Sequence, residues 1–173
     1  VRALVKLVTD WDPSVIVDCH TTNGSKHRYT LTYDGPRYPS DSDAARWANT
    51  TLFPAVTKKV KSATNFDIAP YGNFDQERTK WETYPASPRY GIQYFALRGK
   101  LGILSESYSY ASFKDRIAAT KAFVTACFEV AAEKRKEIAK LTSPTDVKRI
   151  ALGTKTDAFP DKLKVLGFEE EEK

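Results

Sequence analysis

Val15-Ile16-Val17-Asp18-Cys19-His20 is a β-branched, apolar run that turns polar at its end and passes into Thr21-Thr22-Asn23-Gly24. A run of this length and composition reads as a strand covered on both faces. Leu101-Gly102-Ile103-Leu104-Ser105-Glu106 is a second run of the same kind. Both lie among segments with helical spacing, and helices alternating with buried strands imply an α/β layer architecture. In such sheets the chemistry sits beyond the carboxyl ends of the strands. His20 and Glu106 occupy those ends and are the first residues to consider.

The sequence before the first strand, Val1 to Val8, has apolar positions at helical spacing and stops at Asp10-Trp11-Asp12-Pro13-Ser14. Beyond the strand comes a loop with Tyr29, Tyr33, Gly35 and Pro36. Ser42 before Asp43 then supplies a helix start, and Ala44, Ala48, Leu52, Val56 and Val60 recur every fourth residue. Pro54 removes an amide donor inside that helix and is expected to kink it. Phe66 to Pro70 reads as a strand, followed by a polar, aromatic stretch to about Tyr94. After the second strand, Ser112 to Asp115 opens the longest helix with a capping-box pattern, and Phe113, Ile117, Val124, Phe128 and Ala131 are expected to form its buried face. Past Leu141 the chain turns to Ser143-Pro144 and a Lys/Thr-rich stretch, and Lys162 to Phe168 has strand character. The expected division is therefore 1–141 as one α/β unit and 142–173 as a linker and the start of a following β-rich segment.

Asp18 lies two residues before His20, on the same face of a strand. A neutral imidazole there could ligate a metal while a carboxylate or backbone carbonyl fixes its tautomer. The alternative is a strand-end histidine satisfied by the backbone. A carboxylate at the end of the second strand is partly desolvated, which raises its pKa and suits a general base that activates water. The alternative for Glu106 is a structural ion pair with Arg89, Arg98 or Lys100. His27 falls in a loop and reads as solvent-exposed. The loop tyrosines Tyr29, Tyr33, Tyr38, Tyr84, Tyr90, Tyr94, Tyr108 and Tyr110 suggest a pocket wall as a group, although each alone reads as packing.

The bulk composition excludes several classes. A chain of 173 residues can bury a core, and its net charge of +5 is too diffuse to argue for nucleic acid. No stretch approaches the roughly 20 apolar residues of a membrane span. Two cysteines, Cys19 and Cys127, form neither a disulfide framework nor a metal motif, and they leave the compartment open. With two histidines, no His-Glu-x-x-His and no Cys-x-x-Cys, the residues do not make up a catalytic zinc site, which takes about three protein ligands. No Gly-x-Ser-x-Gly or Cys/His partnership supports a nucleophile triad.

The two strand motifs, in this order and at this separation, resemble the zinc carboxypeptidases of the carboxypeptidase A type over roughly Val1 to Leu141. Val15 to Gly24 resembles the strand that ends in the third zinc ligand, and Leu101 to Glu106 the strand that ends in the catalytic glutamate. The resemblance implies a three-layer mixed sheet flanked by helices, with His20 as a ligand to one zinc ion and Glu106 as general base. It also implies a substrate-contacting loop tyrosine, which is Tyr84 by spacing with Tyr90 as its rival. The family's His-x-x-Glu pair and its carboxylate-clamping arginine are not in this sequence. The chain is accordingly expected to be the C-terminal half of a catalytic domain from a longer, bacterial, multidomain protein; its localisation is left unknown, with a secreted or periplasmic place as one option. On its own it is expected to be inactive, to hold zinc weakly or not at all, and to associate with itself. Pro88 to Arg98 departs from the specificity loop of the digestive enzymes, so a preference at the C-terminal residue does not carry over. The substrate implied is a peptide. A zinc deacylase acting on an amino-acid amide and a non-catalytic binding domain of the same fold are the competing readings.

Overall fold

In the computed structural model, residues 2–37 and 42–142 are described. A four-stranded mixed sheet has the order β1-β6-β2-β3. Its strands are β1 (Val15–Thr21), β2 (Leu31–Asp34), β3 (Ile68–Pro70) and β6 (Leu101–Ser107). A separate hairpin joins β4 (Asn73–Phe74) to β5 (Trp81–Glu82). The chain is thus a mixed α/β structure.

β6 is the centre of the fold, and every residue along it is buried. Its alternation sends Leu101 and Ile103 to one face and Gly102, Leu104 and Glu106 to the other. On the first face Leu101 and Ile103 join Leu31, Val56 and Val60 of α3 (Phe53–Thr64), and Phe123, Cys127 and Val130 of α5 (Phe113–Glu133), in one apolar cluster. On the second face lies α4 (Gly91–Leu97), which carries buried Ile92 and Phe95. It approaches so closely that a Cβ on Gly102 would meet the Ile92 carbonyl oxygen at 2.8 Å. Only glycine allows that backbone-to-backbone contact.

The helix start at Ser42 is formed as expected, its Oγ accepting from the Ala45 amide at 3.2 Å. The Pro54 kink takes a specific form. α2 (Asp43–Trp47) runs through a π-helical stretch, Ala48–Leu52, into α3. The wider turn accommodates the missing amide of Pro54 near the start of α3. The inserted residue shifts the buried stripe, so that Ala45 is buried and Ala44 only half-buried.

The buried face expected for α5 is corrected. Phe113, Ile117 and Phe128 are exposed at 70%, 52% and 56%, whereas Ala119, Phe123, Ala126, Cys127 and Val130 face the sheet. The helix is apolar on more than one side, so helical spacing alone does not select the stripe that packs. Its start does follow expectation, with Ser112 Oγ accepting from the Asp115 amide at 3.1 Å and donating to the Asp115 carboxylate at 2.7 Å. The helix breaks at Lys134, and α6 (Arg135–Thr142) follows.

Three further differences concern the sheet and the loops. β1 is half-buried from Val15 to Asp18 and exposed from Cys19 to Thr21, so it is not covered on both faces, and it forms the sheet edge among the described residues. Tyr33 belongs to a strand, β2, that pairs antiparallel with β6 and parallel with β3. The aromatic stretch before Tyr94 contains the β4–β5 hairpin and most of α4. The helix read at the N-terminus is α1 (Arg2–Trp11). Tyr38 and the readings made for residues 143–173 lie outside the described residues.

Candidate active site

β1 and β6 run parallel and in register, with His20 opposite Glu106 and Asp18 opposite Leu104. Register partners on parallel strands point to the same side, so His20 and Glu106 rise from neighbouring strand ends on the α4 face. Beyond these ends the two following loops are fastened together. The Thr22 amide donates to the Ser107 carbonyl at 2.8 Å, and the Ser109 amide donates to Thr22 Oγ1 at 3.0 Å.

Asp18, His20, Tyr71, Tyr84, Tyr90 and Glu106 line one cleft of about 330 Å³. Both tyrosines proposed for substrate contact are therefore brought to the same opening as His20 and Glu106. Their rings are 4.4 Å apart, and the Tyr84 ring lies 5.8 Å from that of Tyr71. Arg37 fixes the loop that carries Tyr84: its guanidinium donates to Asp34 Oδ2 at 2.8 Å and to the Tyr84 carbonyl at 2.9 Å, and stacks 4.6 Å from the Tyr84 ring. Gln93, fully buried in α4, completes the brace by accepting from the Arg37 amide at 2.8 Å and donating to the Gly35 carbonyl at 3.1 Å. Burial, then the Asp34 charge, raises the Tyr84 pKa. Burial is also the main cause of the raised Tyr71 pKa, with the Glu106 charge adding to it. Both phenols remain protonated donors at neutral pH.

Glu106 is 9% exposed, and its Oε2 is buried without a hydrogen-bond partner. Burial pushes its carboxyl above the ordinary glutamate range; His20 acts against that shift and Asp18 with it. None of the cations considered as structural partners engages it. Lys100 pairs with Asp12, Arg98 donates to Thr9 and Tyr94, and Arg89 lies over the Tyr90 ring. An unpartnered, partly desolvated carboxylate at a cleft is poised to take a proton.

His20 Nε2 lies 2.9 Å from Asp18 Oδ1. This contact orients the ring and leaves Nδ1 to act as a donor to a metal, the usual carboxylate–histidine arrangement. The donor set is incomplete, because among the described residues no group of three or more His, Cys, Asp and Glu side chains could hold a metal ion. His20 fits as one ligand, and the rest of a zinc site is not found in these residues.

Tyr71 and Asn23 are the cleft residues that sequence reasoning did not single out. Tyr71 follows Pro70 at the end of β3, and its hydroxyl donates to Asn23 Oδ1 at 3.2 Å and accepts from Asn73 Nδ2 at 3.3 Å. The position of Tyr71 just beyond a strand end was the available signal. His27 is half-buried, not exposed, with its ring 4.4 Å from Tyr108 and edge-on to Trp81 at 5.7 Å. Burial lowers its pKa. No family model, curated protein or solved structure matches the chain.

Proposed function

We propose that the chain carries part of the active site of a zinc-dependent metallocarboxypeptidase, contributing His20 as one metal ligand and Glu106 as the general base. The observation that supports this reading most is the register: an oriented imidazole and an unpartnered, desolvated carboxylate stand side by side at the ends of parallel strands and open into one cleft. The carboxypeptidase resemblance of the two strand motifs supports it as well.

Zinc at such a site polarises the scissile carbonyl and makes water acidic enough to attack near neutral pH. Asp18 holds the His20 ring so that Nδ1 is presented as a ligand. Glu106 Oε2 accepts a proton from the attacking water and returns it to the leaving amine, a task that its raised pKa favours. Tyr71, Tyr84 and Tyr90 offer ring faces to the substrate chain. The remaining zinc ligands have to come from outside this sequence, which contains no His-x-x-Glu.

Glu106→Gln, introduced where the metal site is complete, tests the assignment. Turnover is expected to fall by about two to four orders of magnitude while zinc stays bound, because the residue moves a proton and does not ligate. Near-normal turnover, or loss of zinc, would overturn it. Extended peptides as substrates, with small acylated amino acids cleaved poorly, would favour the carboxypeptidase over a deacylase.

A further inference from the structure

The cleft at His20 and Glu106 does not end there. Asn23 lines both it and a second cleft of about 610 Å³, and Lys26 and Phe74 line both the second and a third of about 580 Å³. Shared walls make these neighbouring clefts, a row of hollows that we call a trough, leading away from the candidate active site. The β4–β5 hairpin forms its side and is held in place by backbone-to-side-chain hydrogen bonds: the Ser25 amide donates to Asn73 Oδ1 at 3.2 Å, and the Phe74 amide to Ser25 Oγ at 2.7 Å.

Two features of the trough bear on its ligand. Apolar ring surface is exposed along it, with Phe74 at 42% and Trp81 at 36% exposure and the two rings edge to face at 5.0 Å. Its charge is also one-sided. Lys26, Arg28 and Arg78 line the two outer clefts against one lining carboxylate, Asp75, while Asp67, outside the lining, lies within reach of the Arg28 charge. The Asp75 carboxylate is engaged by its own turn, accepting from the Thr79 amide at 2.7 Å, the Thr79 hydroxyl at 2.8 Å and the Lys80 amide at 3.2 Å. It is not ion-paired with Lys26, Arg28 or Arg78.

We propose that this trough binds the substrate chain on the N-terminal side of the scissile bond and selects peptides bearing Asp or Glu side chains there. The proposal rests on the carboxypeptidase reading, because an enzyme that releases a single C-terminal residue has only the N-terminal part of its substrate left to fill a long groove. The cations pair with the peptide's carboxylates, and Phe74 and Trp81 cover its apolar surface. Since the exposed charges are screened by salt, binding weakens as ionic strength rises.

The test is binding, not turnover, and needs no metal. Fluorescence anisotropy of the 173-residue chain is measured with two labelled octapeptides that share a C-terminal residue, one with Asp and Glu in its upstream positions and one with Lys there. The acidic peptide is expected to bind about tenfold more tightly or better, the scale of two exposed ion pairs. Lys26→Gln combined with Arg78→Asn should remove most of that preference; asparagine tolerates the left-handed backbone of residue 78, φ 56°. Trp81→Phe should weaken both peptides alike, and circular dichroism checks that each variant is folded. Equal affinity for the two peptides, or a preference untouched in a folded double variant, overturns the proposal. Failure here with the His20 and Glu106 assignment intact would remove the substrate class alone; failure of that assignment shows separately, in metal placement.

Discussion

Glu106 is a costly residue to bury, and that cost is measurable without any substrate. Its folded-state pKa is raised, chiefly by burial. Between the ordinary value and the raised one, the folded chain holds a proton that the unfolded chain has released. Stability is therefore favoured below the ordinary glutamate range and declines as pH rises toward the raised value. Glu106→Gln removes this penalty. Its melting temperature should exceed that of the parent chain at pH 7, and the gap should close on acidification to about pH 3, where glutamate is protonated in both states. A gap that widens on acidification would mean that the carboxylate is stabilised by a partner in the fold. The His20 ring depends on Asp18 in a different way. Asp18→Asn should leave the fold intact and weaken metal binding about 10- to 100-fold, the usual effect of removing an orienting carboxylate. Metal titration of the variant checks this.

At the scale of elements, the packing of α5 and α4 makes two contrasting expectations. Phe123→Ala should cost about 3–5 kcal/mol in chemical denaturation, because Phe123 is fully buried against the sheet. Phe128→Ala should cost less than about 1 kcal/mol, because that ring is on the exposed side. Gly102→Ala should destabilise by about 1–3 kcal/mol, since the added methyl group meets the Ile92 backbone. These expectations also mark what the sequence could and could not convey. β1 and β6 were legible because each is a continuous apolar run, and with them came the positions of His20 and Glu106. The face of α5 was not legible, because Phe113, Ile117 and Phe128 keep helical spacing just as Ala119, Phe123 and Cys127 do. Side-chain size could not tell which stripe meets a flat sheet. β2 has four residues and β4 and β5 two each, too few for an alternation to show. Tyr71 enters the cleft only through the pairing of β2 with β3, a contact between segments far apart in sequence.

Over the whole molecule, apolar surface is exposed on α1, through Leu4, Leu7 and Trp11, and on α5, through Phe113, Ile117 and Phe128. β1 adds an unpaired strand edge among the described residues. Surfaces of this kind favour association. Sedimentation velocity on the 173-residue chain should show mass increasing with concentration, and a strictly monomeric chain throughout would count against it. The central claim, that His20 and Glu106 belong to a metal-assisted hydrolytic site, is tested most directly by locating where a divalent metal settles on the chain. Cobalt(II) is titrated into isotope-labelled protein while nuclear magnetic resonance follows the broadening of each backbone signal. Binding should be weak, because a full site takes about three protein ligands and His20 is one. Broadening should nevertheless begin at Asp18 to Thr21 and Ser105 to Ser107, and disappear in His20→Ala. Broadening that starts elsewhere, for example at His27, and that persists in His20→Ala would contradict the assignment.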